Sequence, residues 1–296
     1  MSVGSPPAQS GKRIRERHAL VESVVVETPD TVTLYFDLGD DGHDYKAGQF
    51  LTIAPQQFPA LAGLIAYLED EKGKREPPRA YSMATAPHER LVGVTVKEEA
   101  YVSGSTKYPP LLSPYLVRSV HAGSTMVVSG FTGPYTFADD LESRSDHIVH
   151  ICSGSGIVPN LSLVKHALRD RPRLRHTLLY SNKTWNDIIF RDQFAELERE
   201  HPDRLQVVHC LTRDPEAVAR GGNIRAGRIN SDLIREFVPD VAAAEFYCCG
   251  AALSKWDKAA AAARNERPTP RFMETVLACL EEIGAPKQRV HHESYG

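Results

Sequence analysis

Residues 146–156, DHIVHICSGSG, read as an apolar strand that runs into a glycine turn, and residues 158–170, VPNLSLVKHALRD, follow with apolar side chains at helical spacing. The same alternation continues towards the C-terminus. RHTLLYSN (175–182) is a second strand and DIIFRDQFAELEREH (187–201) a second amphipathic helix. LQVVHCLT (205–212), NSDLIREFV (230–238) and AAEFYCCG (243–250) read as strand, helix and strand. FMETVLACLEEIG (272–284) is a last helix before the short terminal segment RVHHESYG (289–296). Repeated strand–helix units predict a doubly wound α/β parallel sheet covered on both faces. Such sheets take ligands outside the C-terminal ends of their strands. Three of those ends are unusual: Gly154-Ser155-Gly156, Ser181-Asn182-Lys183 and Cys248-Cys249-Gly250.

Upstream the period changes. HALVESVVVE, TVTLYFDL, GQFLTIAP, LVGVTVKE and STMVVSGF are short, β-branched and separated by Gly, Pro and Asp, which predicts an antiparallel β-barrel or sandwich. Residues 56–78 interrupt that pattern as an insertion, part helix and part charged loop; 251–271 form a second unusually long connection. The expected organisation is a disordered tail over 1–11, a β-barrel domain over 12–142 and a nucleotide-binding α/β domain over 143–296. The chain has 296 residues, 42% hydrophobic and 25% charged, with a net charge of −3. That balance disfavours nucleic-acid binding, which needs a basic surplus. No apolar run approaches a membrane span, and the N-terminus lacks a secretory signal, so the expected location is cytoplasmic. Five cysteines without metal-ligand spacing argue against a metal site.

Two stretches carry chemistry. In Ile151–Pro159, Gly154 and Gly156 would let backbone approach a ligand, Pro159 suits a helix's first turn, and the helix N-terminus behind favours a pyrophosphate. In Arg79-Ala80-Tyr81-Ser82, the arginine can grip a phosphate, the tyrosine can lie against a planar heterocycle and the serine can hydrogen-bond a ring nitrogen. Strand alternation separates 82 from 79 and 81, so a bend or bulge is expected there. Each stretch alone also fits a plain strand-to-helix turn or an edge strand.

Together, these stretches resemble the ferredoxin–NADP reductase superfamily over residues 14–296. Tyr45-Lys46-Ala47-Gly48-Gln49-Phe50, Arg79-x-Tyr81-Ser82, Gly154-x-Gly156-x-x-Pro159 and Phe246-Tyr247-Cys248-Cys249-Gly250 are similar to four of its motifs, in family order. The resemblance implies FAD, with Arg79 on its phosphate, Tyr81 packed on the isoalloxazine and Ser82 on N5. It places Val96 and Lys97 along the FAD strand and Ser113 before a helix facing the pyrophosphate. It implies that Cys249, beside Gly250, touches the nicotinamide, that Glu293 handles a proton, and that Tyr295 covers the flavin where the nicotinamide must go.

Ser181, Asn182, Lys183 and Arg191 suit a ribose 2′-phosphate, which favours NADP over NAD. FAD is favoured over FMN because the β domain carries extra segments. The implied reaction moves hydride from NADPH to FAD and single electrons on to a separate ferredoxin or flavodoxin. An NADH-dependent reductase of an oxygenase component and a flavin reductase or diaphorase are the alternatives, and a silent regulatory subunit is a third. The joint presence of Ser82, Cys249 and Glu293 argues against a pure binder.

Overall fold

The computed structural model of the protein describes residues 15–103 and 106–295; the tail expected over 1–11 lies outside the described residues. The chain runs β1 (Glu16–Thr28), β2 (Thr31–Asp37), β3 (Phe50–Ile53), α1 (Ala62–Lys72), β4 (Arg79–Ser82), β5 (Val92–Lys97), α2 (Ser113–Arg118) and β6 (Thr125–Thr132). It continues as α3 (Leu141–Arg144), β7 (His147–Ser153), α4 (Ile157–Asp170), β8 (Arg175–Asn182), α5 (Arg191–Glu200), β9 (Leu205–Leu211), α6 (Ala217–Arg220) and β10 (Ile224–Ala226). It ends as α7 (Ser231–Phe237), β11 (Glu245–Ala251), α8 (Lys255–Ala263), α9 (Phe272–Glu282) and β12 (Val290–Tyr295).

The first six strands form one antiparallel sheet in the order β4-β3-β6-β1-β2-β5. Its two ends meet: past β4, Met83 bridges Val94 of β5, and the Ala84 N–H donates to Gly93 O at 2.7 Å. That contact closes the sheet into a barrel and leaves no free edge there. Alternating residues such as Val32, Leu34, Phe36, Val92, Val94 and Val96 fill it. The insertion at 56–78 belongs to this core, because Phe58, Leu61, Ile65 and Leu68 bury against it.

The remaining six strands form a parallel sheet in the order β10-β9-β8-β7-β11-β12. Its central strand β7 is buried almost throughout, as a strand covered on both faces must be. Cys152, Leu178, Tyr180 and Val207 pack under α4 and α5 on one face. Val149, Ile151, Leu179, Phe246 and Cys248 pack against α7 and α9 on the other. Two strands go beyond the sequence reading. β10 is only three residues long, too short for a periodic signal. Within the terminal segment, Val290–Tyr295 are not a mere tail but β12, paired along its length with β11.

Candidate active site

Strand parity builds the site. β12 lies parallel to β11 with Tyr247 opposite His291, Cys249 opposite Glu293 and Ala251 opposite Tyr295. Successive side chains alternate faces, so Cys249, Glu293 and Tyr295 share the face that looks towards the barrel. Cys248 points the other way into the core against α9. From the barrel, Ser82 ends β4 and meets this row. The Tyr295 hydroxyl donates to Ser82 Oγ at 2.6 Å, and the Ser82 hydroxyl donates to Glu293 Oε1 at 3.3 Å. Cys249 is fully buried. The expected bulge in β4 is absent. β4 pairs with β3 in unbroken register up to Ser82 opposite Phe50, and the chain turns the corner at Met83, which pairs to both Gln49 and Val94.

Two cavities join here, and Tyr295 lines both. The larger, about 1000 Å³, is lined by Arg79, Tyr81, Ser82, Lys97 and Ser113. The smaller, about 630 Å³, lies over the carboxyl ends of β7 and β8 and is lined by Gly154, Ser155, Ser181, Asn182 and Lys183. Ser113 opens α2 and accepts from the Glu99 N–H at 3.1 Å. Lys97 is held by Asp30 at 2.6 Å.

Several predicted residues, Val96, Gly156, Pro159, Arg191 and Gly250, line neither cavity. Val96 is barrel core. Arg191 does not line the smaller cavity; its guanidinium reaches the Asp192 carboxylate at 3.0 Å and lies over the Trp185 ring. Arg228 and Arg271 line that cavity instead, brought from distant loops that no local motif marks. Gly154 lines the smaller cavity, with φ +49° and open space where a side chain would stand. Gly156 lines neither cavity. A Cβ there would lie 2.2 Å from the Cys249 carbonyl oxygen, so its task is to let the turn sit flush on β11. Gly250 likewise packs tightly against Ser153 and Phe272. Pro159 is buried in the first turn of α4. Tyr108, from a loop, and Trp256, in the first turn of α8, also line the larger cavity; neither stood out in the sequence.

A family model, the oxidoreductase NAD-binding domain, matches residues 150–255. The ferredoxin reductase component of a 3-ketosteroid-9-alpha-monooxygenase from Rhodococcus rhodochrous is 28% identical over 93% of this chain and 64% of its own. The flavohem-like FAD/NAD-binding domain of a nitric oxide dioxygenase from Vibrio cholerae superposes over 95% of this chain and 98% of its own, with a TM-score of 0.69 at 20% identity. A ferredoxin-NADP+ reductase from Plasmodium falciparum covers 95% and 96% with a TM-score of 0.66 at 16% identity. The chain has the two-domain fold of these reductase-like structures, and its second domain carries the oxidoreductase NAD-binding match. It spans 64%, 37% and 60% of the lengths of the first three curated relatives it matches.

The electrostatics of the cluster follow from burial. Burial pushes the Cys249 thiol well above its usual range, and the Glu293 carboxylate beside it adds to that, so the thiol stays neutral. Burial also raises the Glu293 carboxyl, against the opposing hydrogen bonds of Ser82 and Tyr295. The Tyr295 hydroxyl is raised for the same first reason. The residues fit a flavin and a dinucleotide: cationic and hydroxyl donors at one end of the larger cavity, and an open glycine turn beside Lys183, Arg228 and Arg271 in the smaller. Among the described residues, His88, His166 and Asp170 also bring ligand-capable atoms within 4.8 Å of one another, but none of the three lines either cavity.

Proposed function

We propose that this chain is a flavin-dependent oxidoreductase that takes electrons in pairs from NADPH and passes them singly to a separate acceptor such as a ferredoxin or flavodoxin. The observation that carries this reading is that Ser82 and Tyr295, which line the cavities, meet each other and Glu293 directly above the buried Cys249. Residues 12–142 would house FAD and 143–296 the nicotinamide nucleotide. Bound FAD supplies the conversion between a two-electron donor and a one-electron acceptor.

The chain's own residues orient and exclude. Arg79 and Ser113 would hold the phosphate end of the flavin, and Tyr81 would bear on its ring. The Ser82 hydroxyl, already a donor to Glu293, would present its oxygen at the reacting edge. Burial favours the protonated form of Glu293, which suits it to hold a proton beside Ser82. Tyr295 stands between the cavities and keeps water from Cys249 until a nicotinamide displaces it. Ser181, Asn182 and Lys183, with Arg228, would take the dinucleotide's phosphates, and the cations favour NADP.

A second reading is an NADH-dependent reductase component of an oxygenase, and two relatives favour its oxygenase part. Both are named as ferredoxin reductase components of a 3-ketosteroid-9-alpha-monooxygenase, and the one from Mycolicibacterium smegmatis is 32% identical over 64% of this chain. Anaerobic stopped-flow of the purified flavoprotein with NADPH and with NADH decides. Bleaching that is at least tenfold faster with NADPH supports the first reading; faster bleaching with NADH transfers support to the second. No bleaching with either leaves a nucleotide-binding protein without turnover.

A further inference from the structure

The 56–78 insertion does more than extend the barrel core. Leu61, Ile65 and Leu68 anchor α1, and the chain returns through Gly73 to Glu76, which is only 2% exposed. The Glu76 backbone is fixed on both sides: its N–H donates to Glu69 Oε1 at 2.9 Å, and Gln56 Nε2 donates to its carbonyl at 2.7 Å. The carboxylate is shared between two cations. Lys72 Nζ lies 2.6 Å from Oε1, and Arg79 Nη2 lies 2.5 Å from Oε2.

A buried carboxylate needs such partners, yet one partner would neutralise it. The second leaves a net positive charge, and both cations line the larger cavity together with Ser113. An ammonium offers three N–H groups and a guanidinium five. Glu76 takes one from each, and Pro77 O takes one more from Arg79. Further donors on both side chains remain for a ligand at the cavity wall. Lys72 also sits 4.8 Å from the centre of the Tyr108 ring, which limits its swing.

We propose that Lys72 is a second cation on the flavin's diphosphate and that Glu76 is the positioning residue that sets Lys72 and Arg79 side by side to receive it. The inference rests on the flavin reading above. It gives the insertion a binding task and makes one buried acid responsible for the geometry of two cations.

The test measures binding of FAD and of riboflavin, which has no phosphate, to full-length apoprotein by flavin fluorescence. Wild type, Lys72→Met, Lys72→Arg and Glu76→Gln are compared. Lys72→Met and Glu76→Gln should each weaken FAD by about tenfold, the scale of one charge-assisted hydrogen bond. Riboflavin affinity should not change, and Lys72→Arg should keep most of the FAD affinity. Equal losses for both flavins mark a merely structural role and overturn the proposal, as does no loss for either. If Glu76→Gln does not fold, the two Lys72 variants decide. Wild-type apoprotein that takes neither flavin removes the flavin reading itself, and this proposal with it.

Discussion

Cys249 is a neutral thiol under a tyrosine cover, and one prediction follows from that arrangement. Tyr295→Ser should uncover the sulfur. Alkylation of the native protein, mapped to Cys249 by peptide mass so that the partly exposed Cys279 does not confuse it, should then accelerate by at least tenfold. An unchanged rate means that something other than Tyr295 shields the thiol. Glu293 gives a pH dependence of defined sign. Its carboxyl is raised in the folded state, so the native protein holds more protons than the unfolded chain just above the ordinary carboxyl range. Stability therefore falls as pH rises through that window. Glu293→Gln should remove this component, seen as a flatter plot of unfolding free energy against pH from 4.5 upward; an unaltered slope would contradict the assignment.

At the scale of elements, the turn before α4 and the helix of the insertion are the sensitive parts. Gly156→Ala drives a methyl group into the backbone of β11. It should cost about 3 kcal/mol or more, as overpacking against immovable backbone does. Gly154→Ala meets open space but keeps φ at +49°, so its cost should be about 1–2 kcal/mol. Chemical denaturation of the pair gives the order directly, and a larger loss at 154 would show that the turn's conformation matters more than its packing. α1 is held by its apolar face, and Leu68 is completely buried. Leu68→Ala should cost about 2–5 kcal/mol. The element boundaries were legible here for plain reasons: apolar residues at helical spacing mark α4 and α5, and Gly and Pro bracket the strands. β12 was not legible as a strand, because His291, His292, Glu293 and Ser294 carry little β signal. It pairs because β11 offers an open edge in register.

Over the whole molecule, α4 fastens the two sheets together. Ser162 Oγ donates to Thr85 O at 2.6 Å, and Lys165 pairs with Glu89 at 3.1 Å. Deeper in, the Tyr135 hydroxyl donates to Asn160 Oδ1, which also meets His150 Nδ1 at 2.7 Å, and His150 in turn contacts His176. Burial pushes His150 down to about 4, and His209 to about 4 for the same reason. The unfolded chain then binds more protons than the folded one between about pH 4 and 6.5, so stability is lost as pH falls through that window. Thermal unfolding of wild type and His150→Gln across pH 4–7 should show a shallower acid decline in the variant. Parallel curves would place the acid sensitivity at other groups.

The amino-acid order determined the strand and helix periods, the barrel-then-α/β arrangement, and the residue types at Arg79–Ser82, Gly154–Pro159 and Cys249. Those features are local: a side-chain period, a turn conformation or a short motif is set by neighbours in the chain. Only the folded molecule decided that Ser82 meets Tyr295 across 213 positions, that Gly156 packs on β11, that Arg228 rather than Arg191 borders the smaller cavity, and that Glu76 gathers Lys72 beside Arg79. Such contacts depend on strand register and on which loops two packed layers bring to one seam. Those are outcomes of long-range burial and steric fit, and no window of sequence contains them.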